Sequence, residues 1–257
     1  MTRSFTTTAI LLRRIDFGDY DLIITFLTST KGKISVIAKY AKKSTKRFAG
    51  ILEPFSIIQI VCSPGKNNRL YILQEATLKE PFAKIRTDIY KTAYASYWVE
   101  LIDKWVEKGE KEIELFHLLW HVLEKLDTGE IPQETLSILF QIRFMIIAGM
   151  CPNLSYCVVC KTETDNIVQT RMHFDLDRGG LICAKCLSYT QKKIPLSKGT
   201  VKQLLWLENK KIQVAEKIRL SAHSIKEALF FMEIFVPYHI KKTPKSLNFL
   251  KQLRKSI

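Results

Sequence analysis

Residues 6–38 read TTTAILLRRIDFGDYDLIITFLTSTKGKISVIA, and the period of two along this stretch decides the first part of the fold. Thr6–Ile15 and Leu22–Thr28 are apolar and β-branched, and the turn between them holds Asp16, Gly18, Asp19 and Asp21. Ile34–Ala38 alternates after the Lys31-Gly32-Lys33 turn, as a half-buried strand does. Further along, Phe55–Cys62 and Leu70–Leu78 read as two more strands, parted by a loop with Pro64, Gly65, Asn67 and Asn68. Five strands without a long helix between them fit a small Greek-key barrel, and the five-stranded OB barrel is a frequent nucleic-acid-binding form. A small sandwich or an SH3-like barrel would give much the same string.

From about Ile85 the period changes from two to nearly four. Ile85, Ile89, Ala93, Tyr97 and Leu101 recur at fours, with Tyr94, Trp98, Ile102 and Trp105 beside them, a broad apolar helix face. Aromatics at this spacing beside Leu and Ile belong to a core. A second helix is expected over Ile113–Leu126, and a third from Pro132 to just before Gly149. Leu196–Leu207 and Ser221–Tyr238 also read as helices, with Pro237 and Pro244 punctuating a basic tail. The expected fold is therefore α+β: an N-terminal five-stranded barrel over residues 1–80, then a mainly helical domain over 81–257.

The chain has 257 residues, 47% of them apolar and 25% charged, which excludes a disordered protein. The greasiest stretch, Ile138–Ala148, is too short for a membrane span and carries Gln141 and Arg143. Arg13 and Arg14 stand where a signal peptide would have its apolar run, so a cytoplasmic location is expected. The net charge of +15 favours polyanions. Its distribution says more than its sum. Residues 1–80 carry 13 basic and 6 acidic side chains, 81–150 carry 8 and 11, 151–190 carry 4 and 4, and 191–257 carry 15 and 4. Positive charge gathers at both ends around a near-neutral middle.

Four of the six cysteines form two pairs, Cys157-x-x-Cys160 and Cys183-x-x-Cys186. Thiolates two residues apart sit on one tight turn, and two such turns complete a tetrahedron around zinc. The 22 residues from Lys161 to Ile182 that part them slightly exceed the usual spacer. Thr170–Asp175 reads as a strand there and Asp177–Gly180 as a turn, giving a ribbon at about residues 151–190. Four sulfur ligands leave the metal no open position, so one structural zinc ion is expected. Disulfides would need an oxidising compartment, and a redox pair would need a single knuckle in a βαβ setting. Cys151 and Cys62 lie apart from the knuckles and read as buried or half-buried free thiols.

No catalytic constellation is visible. The five histidines are scattered; His117 and His121 share a helix face but sit among Leu118, Leu119 and Trp120, without the adjacent Glu of a zincin. Glu110, Glu112 and Glu114 alternate in a charged stretch, as at a solvated helix end. Phosphate loops, dinucleotide fingerprints and nucleophile elbows are all missing. The sequence leans toward a binding protein and not an enzyme.

The sharpest local feature is Lys31–Gly50, KGKISVIAKYAKKSTKRFAG. Lys39, Lys42, Lys43, Lys46 and Arg47 cluster on a loop after a strand, where they can track a phosphate backbone and displace its counterions. Tyr40 and Phe48 flank them and could stack on bases, though Phe48 could equally plug the barrel. This segment resembles the RecO family of DNA-repair and recombination mediators. The resemblance starts at Ala9-Ile10-Leu11-Leu12-Arg13 and Asp21-Leu22-Ile23 and passes through Lys31-Gly32-Lys33, Val36-Ile37-Ala38-Lys39 and Gly50–Phe55. It continues in Phe140-Gln141-Ile142-Arg143, Gly149–Pro152, the two cysteine knuckles, Lys245-Ser246 and Phe249-Leu250. Glu53 and Asn248 depart from it: a more neutral residue is common before Pro54-Phe55, and a basic one is frequent at 248.

The resemblance implies an OB barrel packed on a helical domain with an inserted zinc ribbon. It implies binding of single- and double-stranded DNA and annealing of complementary strands, in the cytoplasm at the nucleoid. The implied partners are RecR, the acidic C-terminal tail of single-stranded DNA-binding protein and, indirectly, a RecA-type recombinase; Arg143 would pair with the acidic tail if it faces a groove. The alternative from another class is a zinc-ribbon adaptor in transcription or translation that does not anneal DNA. A hydrolase whose residues converge only in space is a third.

Overall fold

The computed structural model describes residues 4–65, 70–187 and 193–255. Asn67 and Asn68, expected in a loop, lie outside the described residues. Five strands open the chain: β1 (Phe5–Phe17), β2 (Asp21–Thr28), β3 (Gly32–Ala38), β4 (Ile57–Pro64) and β5 (Tyr71–Glu80). They close into a barrel in the order β1-β2-β3-β5-β4. All neighbours are antiparallel except β3 and β5, which run parallel, with Val36 opposite Tyr71 and Ile37 opposite Ile72. The expected five-stranded barrel is thus present. Its interior holds Ala9, Leu11, Ile24, Phe26, Ile34, Val36, Ile58 and Ile60. On β1 the alternation gives way to a run, because Ile10 and Leu12 on the other face are buried as well. Helices account for that second face: α2 (Ile89–Trp105) lies against β1 and α3 (Ile113–Thr128) against β2.

Asp88 caps α2, its side chain accepting from the N–H groups of Tyr90 at 2.8 Å and Lys91 at 3.1 Å. A short helix, α1 (Ala83–Arg86), precedes that cap. By packing, the first compact unit comprises Met1–Thr128 with Asn248–Ile257, and the second comprises Gly129–Leu247. Within the first, Gly32 takes a φ of +67°, and a Cβ added there would lie 1.9 Å from the carbonyl oxygen of Glu110. Only glycine satisfies both conditions. Gly32→Ala is expected to lower stability by more than about 1 kcal/mol, the backbone cost alone, with the clash added. Urea unfolding measures it; an unchanged midpoint would contradict this packing.

In the second unit, α4 (Gln133–Ile147) ends at Gly149, whose φ is +71°. The Met150 N–H donates to the Met145 carbonyl at 2.8 Å and the Gly149 N–H to Ile146 at 2.9 Å, a Schellman end. A four-stranded sheet follows in the order β6-β8-β7-β9, from β6 (Asn153–Cys157), β7 (Arg171–Asp175), β8 (Gly180–Ile182) and β9 (Lys193–Ser197). Then come α5 (Lys198–Asn209), α6 (Ile212–Ala215) and α7 (Ala222–Ile240); the last helix, α8 (Lys245–Lys255), begins in this unit and belongs to the first from Asn248 on.

Two expectations change here. Leu196 does not start a helix: Ile194 and Leu196 alternate on β9, Leu196 pairs with Met172, and Ser197 caps α5 instead. The helix expected over Ser221–Tyr238 runs on to Ile240 with Pro237 inside it, and stops where Lys241 turns left-handed at φ 54°. The segment beyond Pro244 is the helix α8, which buries Leu247 and Leu250. Among the described residues, no helix is long and apolar enough to cross a membrane.

Candidate metal centre and nucleic-acid interface

The sulfur cluster is built by the sheet β6–β9. Cys157 ends β6, and Lys161 beyond it takes the left-handed conformation at φ 62°, which turns the chain so that Cys160 comes back. The Lys161 N–H closes that knuckle on the Cys157 carbonyl at 2.9 Å. Cys183 follows β8 directly, and its knuckle is a 3₁₀ turn over Ala184–Cys186 with the Cys186 N–H on the Cys183 carbonyl at 3.0 Å. Parallel pairing of β6 with β8, Cys157 opposite Leu181, sets the two knuckles side by side. Gly180 permits that approach, since a Cβ there would meet Val158 Cγ1 at 2.3 Å. The turn Asp175–Arg178 is held by Asp175, which accepts from the Asp177 and Arg178 N–H groups at 3.0 Å each.

All four Sγ atoms lie within 4.8 Å of one another, and Cys160 and Cys183 are 3.8 Å apart. A tetrahedron with arms of about 2.3 Å has edges of about 3.8 Å, so the spacing fits one thiolate-bound ion. The protonation chemistry agrees. Hydrogen bonding from Thr162 pulls the Cys160 thiol down to about 6, while hydrogen bonding with Cys183 pushes Cys186 up to about 12. Four sulfurs this close cannot all ionise without a cation between them. The residues therefore suit a soft or borderline metal ion held without an open position.

Outside the cluster, Cys62 lies in the barrel core, where burial pushes its thiol up to about 12. Cys151 differs from expectation in being exposed, yet its thiol is also pushed up to about 12, by desolvation first and then by Glu208. The carboxylates that looked like a solvated helix end, Glu110, Glu112 and Glu114, do lie outside the core. Glu112 is held above the usual carboxylate range by desolvation and by the two neighbouring acids.

The basic loop leaves β3 at Ala38 and makes a 3₁₀ turn over Ala41–Lys43. Lys39, Lys42, Lys43, Lys46 and Arg47 are all exposed. The loop is anchored from below: Phe48 is 3% exposed and packs in the barrel core with Ala41 and Leu52, so it is the plug and not a stacking surface. Ser44 Oγ accepts from the N–H groups of Arg47 and Phe48 at 3.0 Å each, and Arg47 donates to the Lys39 carbonyl at 2.8 Å. The cations are thereby presented on a fixed turn.

A neighbour missed in the sequence completes this surface. The register of β2 with β3 pairs Leu22 with Ala38, which sets the turn Asp16–Tyr20 beside the loop. Lys42 Nζ lies 3.0 Å from Asp16 and donates to the Gly18 carbonyl at 3.1 Å, while Lys43 Nζ sits 3.8 Å from the centre of the Tyr20 ring. The signal was available in the antiparallel pairing of two strands joined by the short turn Ser29–Lys31, which brings the far ends of both together.

Near Arg14, Glu53 finds a role, because Arg14 donates to its carboxylate at 3.2 Å and to the Leu52 carbonyl at 2.7 Å. This fastens the segment after the loop back onto β1. Arg143 on α4 is half-buried and apart from the loop's sequence and unit. It donates to the Lys210 carbonyl, and desolvation holds its guanidinium below the ordinary arginine value, opposed by Glu208. Its Nε is buried without a partner among the described residues.

The family model for the N-terminal part of recombination protein O matches residues 1–82, and the model for its C-terminal part matches residues 86–248. A DNA repair protein RecO of Desulfosudis oleivorans is 42% identical over 255 residues, covering 97% of this chain and 98% of the relative. One from Desulfatibacillum aliphaticivorans is 43% identical over 251 residues, 97% of each chain. One from Syntrophus aciditrophicus is 30% identical over 251 residues, 97% of this chain and 96% of the relative. With both halves matched and relatives at this identity along the whole length, the chain belongs to the RecO family of DNA repair proteins.

Proposed function

We propose that this chain binds single- and double-stranded DNA through Lys39, Lys42, Lys43, Lys46 and Arg47, and that it anneals complementary strands without making or breaking a bond. The observation that carries the reading is the loop itself: five exposed cations on an anchored turn beside a closed barrel. Each phosphate such a loop neutralises releases counterions, a driving force indifferent to base sequence. Two strands that repel one another can then approach on a surface that screens both.

In the cell the mediator assists loading of a RecA-type recombinase on strands coated by single-stranded DNA-binding protein, together with RecR, in the cytoplasm at the nucleoid. The barrel, residues 1–80, is the DNA-binding domain, and the helical domain over 81–257 meets protein partners. Arg143 is the candidate for the acidic C-terminal tail of single-stranded DNA-binding protein, because its guanidinium is only half-buried and a carboxylate pairs with it by charge-assisted hydrogen bonds. The ion in the cysteine cluster is zinc, one per chain, held by Cys157, Cys160, Cys183 and Cys186. It fixes the knuckles and takes no part in chemistry.

Anisotropy of labelled single strands and duplexes across a salt series tests the DNA reading. The expected result is binding to both forms with log Kd linear in log salt, at a slope of about 0.7 to 0.9 per phosphate contacted. Binding to RNA alone, or none to either DNA form, would favour the adaptor reading instead.

A further inference from the structure

We propose that Tyr20 and Tyr40 form a stacking platform for the unpaired bases of a single DNA strand. This rests on reading the neighbouring loop as the DNA surface and deepens it, since it says which form of DNA that surface grips.

The two rings lie nearly parallel, with centroids 6.1 Å apart and planes 14° from one another. They are not core residues: Tyr40 is 64% exposed and Tyr20 39%. The backbone spends free energy to put Tyr40 there. Its φ is 56°, the left-handed region that a bulky side chain avoids. Asp21 holds the conformation by accepting the Tyr40 N–H at 2.8 Å. The Tyr20 carbonyl accepts the Lys42 N–H at 3.0 Å, which ties the second ring to the same turn. Of the three acids on this turn, Asp16 is paired with Lys42 and Asp21 is occupied with the Tyr40 backbone, while Asp19 is exposed. Lys43 Nζ covers one face of Tyr20, 3.8 Å from the ring centre, so Tyr40, the more exposed ring, offers the open face. An anchored aromatic pair among cations, with one ring held left-handed and open, has the composition of a single-strand binding surface, where bases stack on rings and phosphates meet lysine and arginine.

Duplex bases already have both faces covered by their neighbours. The cations therefore act on both forms of DNA, and the rings act only on an unpaired strand. Pairing of two bound strands draws bases off the platform and weakens the hold on the product. The platform thus favours substrate over product in annealing.

The test uses the full chain and three probes of equal length: oligothymidylate, an abasic oligomer with the same phosphates, and a duplex. Tyr40→Ala is expected to weaken oligothymidylate binding about 5- to 150-fold, the range for one lost base–aromatic stack. Abasic and duplex binding stay as in the parent. Tyr40→Phe keeps the ring and keeps the affinity. Tyr40→Gly suits the left-handed backbone, so its losing the same affinity shows that the ring and not the fold is responsible. An oligomer carrying 5-iodouracil crosslinks to Tyr20 or Tyr40 on irradiation, read by peptide mass spectrometry. Equal losses on all three probes, or none on oligothymidylate, would overturn the platform. If replacing the loop cations leaves binding and its salt slope unchanged, the loop reading fails as well. If that replacement weakens binding and Tyr40→Ala does not, the platform alone falls.

Discussion

Cys183→Ser is expected to abolish tight metal binding at the cysteine cluster, zinc on the proposed reading, and to open the sheet β6–β9. Cys183 joins both knuckles: its Sγ is 3.8 Å from that of Cys160, and its N–H donates to the Cys157 sulfur at 3.4 Å. The sheet is small. β8 has three residues, and the pairing of β6 with β8 shifts register between Asn153 and Cys157. Hydrogen bonds alone hold such a sheet weakly. Structural zinc in small domains contributes on the order of 10 to 16 kcal/mol, enough to decide whether the segment folds. One part should survive, because Phe174 on β7 packs on Phe231 and Phe235 of α7 at 4.7 and 5.4 Å. Hydrogen exchange with a chelator present should therefore show loss of protection in β6 and β8, retention in α7, and an unchanged barrel. Unaltered exchange at Cys157 and Leu181 after complete metal removal would show that the sheet does not depend on the ion.

Replacing Lys43, Lys46 and Arg47 together by Ala is the second large effect. Three lost phosphate contacts should reduce the slope of log Kd against log salt by about 2 to 3, and weaken binding at low salt at every base sequence. Lys42 is left out because of its partner. It is paired with Asp16 at 3.0 Å, so Lys42→Ala also frees a carboxylate beside the loop. That substitution alone should cost more affinity than Lys46→Ala, because it removes a cation and uncovers an anion. Far-ultraviolet circular dichroism should not change, since Phe48 still plugs the barrel. An unchanged slope in the triple variant would move the DNA contacts elsewhere, most directly to the cations of residues 191–257.

The barrel was legible because alternation, turn residues and strand length agreed over Thr6–Ala38, and each strand is bounded by a sharp change of composition. The cysteine centre was legible because spacing alone constrains where two knuckles point. From sequence the segment Asp16–Tyr20 shows only a turn. Its place beside the loop depends on the register of Leu22 with Ala38, a pairing between strands that no local window contains. In the sequence Leu196 reads as the start of a helix, because Ile194 and Leu196 run straight into the helical pattern of Val201, Leu204 and Leu207. Sheet pairing with β7 overrides that continuity. α8 was hidden by its composition: Leu247 and Leu250 are the two side chains it buries as core, among lysines that read as a solvated tail. Packing of helices on the barrel follows from the resemblance and not from any local pattern; in the residues themselves its trace is the unbroken apolar run Ile10 to Leu12, buried on both faces.

The most direct test of the central claim is the rate of pairing of two complementary oligonucleotides, first naked and then coated with the cognate single-stranded DNA-binding protein. The parent chain should accelerate pairing in both states, less so as salt rises, and the Lys43, Lys46 and Arg47 variant should lose most of the acceleration while keeping its fold and metal. No acceleration by a folded, metal-loaded parent chain would contradict the account.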